Sequence, residues 1–220
     1  MTLRHYSSSQ RVSADTLRHT RATSCAHAPT RTTADEQRWL IFDVETTGLS
    51  ARDEITEIAA LIIDNNAVSS SFHTLCHPGR PIPTIVTRIT GIDEALVANA
   101  PSVPHAMGAL HHWLENEAGI SDYPPIFVAH NVPFDQGFLS RAAKRSGVAW
   151  PSLPTMDTLE LSRILLPKPR VANHRLATLA QYFSFPGTQE HRALADTYMT
   201  WHVLRHLLAL QRDSQQGTYR

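Results

Sequence analysis

Three short islands of the 220-residue chain hold four carboxylates and one histidine: Phe42-Asp43-Val44-Glu45-Thr46-Thr47-Gly48-Leu49, Ala129-His130-Asn131-Val132-Pro133-Phe134-Asp135 and His191-Arg192-Ala193-Leu194-Ala195-Asp196. Oxygen ligands gathered from distant parts of a chain suit a pair of hard divalent cations. A histidine beside them offers a base that titrates near neutral pH. The chemistry open to such a set is metal-assisted hydrolysis of a phosphate ester. Asp43 and Glu45 are two apart at a strand end, so the period of a strand puts both carboxylates on one face, where they can grip one cation together. Asp135 falls at the start of a helix; alone it would be an acid complementing the helix dipole, and beside the other islands it becomes a ligand, direct or through water. His191 and Asp196 are five apart, which on one helix would turn them about 140° from each other. The two serve one centre only if His191 lies before the helix, on a loop that Pro186-Gly187-Thr188 supports, with Asp196 on the helix.

The elements that must position these groups are legible in outline. Trp39-Leu40-Ile41-Phe42 reads as a buried strand ended by Asp43, Glu54 to Asp64 as a second, and Val68 to Cys76 as a third, with Asn65-Asn66 as a hairpin turn. Tight turns would join the three into an antiparallel meander. Pro78 to Pro83 breaks the pattern; short helices are expected over 84–89 and 93–98, and an apolar stripe predicts a longer one over 103–117. Ile126 to Ala129 is a fourth strand, followed by a helix over 134–145 that Gly147 stops. Leu153 to Met156 is a short fifth strand. Asp157-Thr158-Leu159-Glu160 has capping-box spacing and opens a helix that Pro167 and Pro169 end. A last long helix runs from about 193 to 210. This order predicts an α/β domain around one mixed five-stranded sheet flanked by helices.

Composition narrows the class. A hydrophobic content of 42% over this length supports one domain with a real core. No run of apolar residues is long enough for a membrane span. Cys25 and Cys76 form neither a metal-ligand spacing nor a disulfide framework, so a reducing compartment is expected. Net charge is zero, which argues against coating nucleic acid through bulk charge. Residues 1–36 hold five Arg and three acids, leaving 15 basic and 17 acidic residues from 37 onward, or −2. Two divalent cations would turn that to about +2 and supply the positive charge a phosphate needs. Residues 1–36, rich in Ser, Thr, Arg and His, read as a disordered extension: plainly solvated, the product of an upstream start codon, or an organelle transit peptide. Residues 211–220 read as a short polar tail. Arg163, Lys168, Arg170 and Arg175, in a stretch without acids, either guide a strand or are a solvated loop. His202 and His206 lack a third ligand for zinc, and Asp157 reads as a cap.

In order and spacing, the three islands resemble the three motifs of the DnaQ-like 3′→5′ exonucleases, DEDDh branch, with the DNA polymerase III epsilon proofreading subunit as the nearest resemblance. Arg88-Ile89-Thr90-Gly91-Ile92 adds a further family-like segment. The resemblance covers about residues 38–210 and implies an exonuclease domain over 37–210 with a ribonuclease H-like fold. It implies two Mg²⁺, with Mn²⁺ able to substitute, held by Asp43, Glu45, Asp135 and Asp196, and His191 as the base. It also implies a terminal-nucleotide pocket of Thr46, Thr47, Leu49, His130, Asn131 and Phe134. Leu49, Phe134 and His130 have the ordinary alternatives of core packing and an internal hydrogen bond. Activity is expected to fall below pH ~6.5, where a free histidine protonates. The expected substrate is the 3′ end of DNA rather than RNA, a polymerase is a partner by analogy, and a bacterial cytoplasmic location is expected. The alternatives are an RNA 3′-trimming enzyme and a non-catalytic binding module, the latter disfavoured by the intact ligand set.

Overall fold

A computed structural model of the protein describes residues 37–122, 124–187 and 191–217. The extension 1–36 with Cys25, and residues 218–220, lie outside them. The elements run β1 (Trp39–Thr46), β2 (Ile55–Asp64), β3 (Ala67–Leu75), α1 (Thr84–Thr90), α2 (Glu94–Val97), α3 (Val103–Asn116), β4 (Ile126–Ala129), α4 (Val132–Ser146), β5 (Thr155–Asp157), α5 (Thr158–Leu165), α6 (Leu176–Tyr182) and α7 (Ala193–Gly217). One sheet orders the strands β3-β2-β1-β4-β5. β1, β2 and β3 are antiparallel neighbours, while β4 runs parallel to β1 and β5 parallel to β4. This is one mixed five-stranded sheet flanked by helices, as the sequence pattern predicts.

Both faces of the sheet are covered, which explains why β1 and β2 read as nearly unbroken apolar runs. Leu40, Phe42 and Val44 point into a core with Leu110 and Trp113 of α3 and Phe138 and Leu139 of α4. Trp39 and Ile41 point the other way, into a core with Leu161 of α5, Leu179 of α6 and Leu204 and Leu207 of α7. Phe42 stacks on Phe127 with ring centroids 5.0 Å apart, tying the two central strands together. Asn65 and Asn66, at φ 50° and 63°, form the two-residue turn between β2 and β3.

Several boundaries differ from the sequence reading. β1 does not stop at Asp43 but continues to Thr46, because β2 goes on pairing with it through the carboxylate positions. The join from β1 to β2 is a loop over 47–54 rather than a tight turn. α6 was not anticipated; its apolar residues Leu176, Leu179 and Ala180 cover less than two turns, too short for a clear period. α7 does not end near 210, and the polar residues 211–217 are helical. No helix among the described residues is long and apolar enough to cross a membrane. Cys76 is a buried free thiol, pushed up to about 12 by burial and then by the Glu57 charge.

Candidate active site

Asp43 and Glu45 continue the row of Trp39 and Ile41, so both face α7. They stand where β1 outruns its parallel neighbour: β1 pairs with β4 only from Trp39 to Ile41. Beyond that point the two strands part, as at the crevice where open α/β sheets place ligands. The Val44 N–H, with no β4 carbonyl opposite, donates instead to Asp135 Oδ1 at 3.2 Å. That bond places the buried Asp135, from the first turn of α4, at the strand end.

Asp157 fixes this turn. Its carboxylate accepts from Asn131 and Val132 N–H at 3.1 and 3.0 Å and also from Leu159 N–H at 2.8 Å. One side chain thus caps α5 and holds the entry of α4, where Asn131 sits at φ 92°.

From the other side comes α7. His191 lies outside the helix at φ 50° and is exposed; Asp196 lies inside it and is buried. Ligand atoms of Glu45, His191 and Asp196 come within 4.8 Å of one another. Asp43, His191 and Asp196 line one groove.

Crowding of acids governs the electrostatics. Burial, then the charges of Asp135, Asp196, Glu45 and Glu57, holds the Asp43 carboxyl well above its ordinary range. Glu45 is pushed up to about 8 by burial and then by Asp196 and Glu57. Asp135 is also pushed up to about 8, by burial first and by Asp157 among the charges.

Two residues of the site escaped the sequence reading. Glu57, fully buried, accepts from Arg192 Nε and Nη2 at 3.1 and 2.8 Å, from Ala193 N–H at 3.0 Å, and sits 2.7 Å from His73 Nε2. Glu57 thereby caps the start of α7 and ties down the residue after His191. A charged residue inside the apolar run Ile55 to Ile63 was the available signal.

The expected pocket residues divide. Thr46, Thr47, Leu49 and Phe134 line a hollow of about 500 Å³ beside Glu45, closed on its far side by Ile85 and Ile89 of α1. The threonine hydroxyls serve the loop itself: Thr46 donates to Gly48 O at 2.6 Å, and Thr47 donates to Asp53 Oδ1 at 3.1 Å. A Cβ at Gly48 would lie 2.7 Å from Asp53 Oδ2, so a larger residue there would push aside the side chain that holds Thr47. This bracing leaves Leu49 86% exposed at the lip. Phe134 both lines the hollow and packs on Phe138 at 4.9 Å. His130 and Asn131 line the other groove, with Asp43. Both His130 ring nitrogens are engaged, with Thr158 Oγ1 and His174 O, each at 2.9 Å. The internally bonded alternative therefore describes this ring, and burial lowers its basicity. The His202 and His206 rings meet the carbonyls of Phe183 and His202, which accounts for that pair without a metal.

The exonuclease family model matches residues 40–204, spanning all three islands. The chain is 38% identical over 178 residues to a PolC-type DNA polymerase III of Oceanobacillus iheyensis, a match covering 79% of this chain and 12% of that protein. A solved structure of exonuclease X in complex with 5′ overhanging duplex DNA superposes with TM-score 0.55 at 26% identity, covering 78% of this chain and 91% of that one. The nuclease domain of 3′hExo, a DEDDh family member bound to rAMP, superposes with TM-score 0.69 at 15% identity, covering 81% and 94%. The protein belongs to the exonuclease family. It spans about an eighth of the length of the polymerase relative.

Proposed function

We propose that the protein is a 3′→5′ exonuclease that releases nucleoside 5′-monophosphates from the 3′ end of DNA, in proofreading or repair. The observation that carries this reading is the convergence of Glu45, His191 and Asp196 within 4.8 Å at the open end of β1. The residues fit divalent cations. They offer oxygens and an imidazole, and the Glu45 and Asp135 carboxyls, raised by burial and then by acidic neighbours, are groups that a bound cation would favour in their charged form. Asp43, Glu45, Asp135 and Asp196 would hold two Mg²⁺ (or Mn²⁺). When bound, such ions lower the pKa of water and stabilise charge on a leaving oxygen.

The chain's own groups do the rest. His191, exposed and outside α7, accepts the proton of the attacking water at its imidazole. The Glu57 cap on Ala193 N–H fixes the segment between His191 and Asp196 and so keeps the two in register. Leu49 and Phe134 hold the terminal base by apolar contact, which reads no base identity.

The DNA reading draws on the polymerase relative and on the neighbour solved with duplex DNA. The second reading, RNA 3′-trimming, draws on the neighbour solved with rAMP. The two differ at the 2′-hydroxyl. Work beside a polymerase in a bacterial cytoplasm fits the relatives.

The test is direct. Single-stranded DNA, 3′-recessed duplex and RNA, each labelled at the 5′ end, are incubated with the protein and Mg²⁺. A ladder shortening from the 3′ end, stopped by EDTA and absent in Asp43→Ala, is expected, fastest on DNA. Immediate release of the labelled 5′ nucleotide, or equal rates in Asp43→Ala, would overturn the reading.

A further inference from the structure

The groove that contains Asp43, His191 and Asp196 has a volume of about 540 Å³, and its far wall carries Arg163, Lys168 and Arg175. All three side chains are exposed. None enters an ion pair among the described residues, whereas Arg38, Arg80, Arg145 and Arg192 each have an acid within reach. From 161 to 187 the chain has four basic residues and no acid. In a protein of zero net charge this is a concentrated, uncompensated wall, facing a floor of crowded carboxylates. Cations on one wall of a cleft focus their field on an anion lying in it.

The wall is held in place. Arg163 is in the last turn of α5, and Arg175 stands at the start of α6. Asn173 Oδ1 accepts from Arg175 N–H at 2.9 Å and from the Thr178 hydroxyl at 2.8 Å. His174 O lies 2.9 Å from His130 Nε2, and His174 Nδ1 lies 3.2 Å from Ser162 Oγ. His130 follows directly on β4, so the cationic wall is anchored to the strand end next to Asp135.

We infer that this wall is a second binding site, for the phosphodiester backbone of the substrate strand upstream of its terminal nucleotide. The inference rests on the exonuclease reading. With the scissile phosphate at the carboxylates, the strand has two openings to occupy. The hollow beside Leu49, Ile85 and Ile89 is apolar and suits a base. The groove under Arg163, Lys168 and Arg175 suits phosphates. The wall therefore sets the preference for a polymer over a single nucleotide ester, and most of the salt dependence of binding.

The triple variant Arg163→Gln, Lys168→Gln, Arg175→Gln changes only exposed side chains. Two readouts separate the claims. The first is fluorescence anisotropy of a labelled single strand of about ten nucleotides in EDTA, which needs no catalysis. Its Kd should rise about tenfold or more, and the slope of log Kd against log salt should fall by about 2, since each phosphate contact on a single strand contributes about 0.7. An unchanged Kd and slope overturn the proposal. The second readout is hydrolysis of thymidine 5′-(p-nitrophenyl phosphate), which has no upstream backbone. The ratio of kcat/KM on the strand to that on this ester should fall about tenfold in the variant, and an unchanged ratio also overturns the proposal. A wild type that binds the strand through the wall yet hydrolyses neither substrate would sink the exonuclease reading instead.

Discussion

Glu45 and Glu57 face one another across the β1–β2 ladder, yet their carboxyls are driven in opposite directions. Glu45 is pushed up to about 8, by burial and then by its acidic neighbours. Burial also works against Glu57, but hydrogen bonds from Arg192, His73 and Ala193 outweigh it and hold this carboxyl below its ordinary value. One glutamate is left short of positive charge and the other has its own. That difference ties the second to the architecture of α7 and fits the first to the proposed role of cation ligand.

Removing the Arg192 partner should expose that architectural role. Arg192→Met leaves Glu57 buried with two of its donors, an expected cost of about 3 kcal/mol. At this size that lowers Tm by roughly 6–12 °C. kcat should fall more than KM rises, because His191 adjoins Arg192, and Arg192→Lys should recover part of the rate. The sign of the pH effect follows from the lowered Glu57 carboxyl. Its stabilisation is present above the ordinary glutamate range and is lost as pH falls through the folded value. Glu57→Gln should therefore flatten the acid limb of a Tm–pH curve; an acid limb identical to wild type would contradict this.

The stability of the metal-free protein should depend on pH in the opposite sense at its raised carboxyls. The Glu45 and Asp135 carboxyls, each raised to about 8, keep protons in the metal-free folded protein that the unfolded chain has already released. Metal-free stability should then decline as pH rises from about 5 to 8. Cation binding displaces those protons, so the Mg²⁺ concentration giving half-maximal thermal stabilisation should fall across this window and level off above it. A midpoint independent of pH would argue against these carboxylates as ligands.

Asp135→Asn should separate activity from stability. The amide keeps an oxygen for the Val44 N–H and removes a charge that the site raises. At pH 8 without metal, the variant should melt about 2–4 °C above wild type, the equivalent of about 1 kcal/mol. Its exonuclease rate should fall at least about a hundredfold. A variant that is less stable and still active would reverse the assignment.

His191→Ala tests whether this ring is a base or a ligand, since its nitrogen lies within reach of both Glu45 and Asp196. As a base, its loss should lower kcat by about 10²–10⁴ while the Mg²⁺ midpoint in a thermal-shift titration stays within about twofold of wild type. A large shift in that midpoint would make His191 a ligand.

The sequence alone determined which side chains could do chemistry and where each would sit on its own element. Asp43 and Glu45 share a face because strands alternate, and His191 had to leave the helix because five residues do not return to the same side. Those are local rules with fixed periods, so they can be read from one segment at a time. Tertiary structure decided the rest. β1 runs past Asp43 because β2 pairs with it, not because of its own residues. Asp135 is placed by a Val44 N–H that is available only because β4 stops short. Glu57 and Arg192 are 135 positions apart, and nothing in either segment announces the other. His130 turned inward for the same reason, since its partners Thr158 and His174 lie 28 and 44 positions away. Contacts of that span depend on how the sheet and the helices close over each other, and the energy of burying an acid is settled only when its partner arrives.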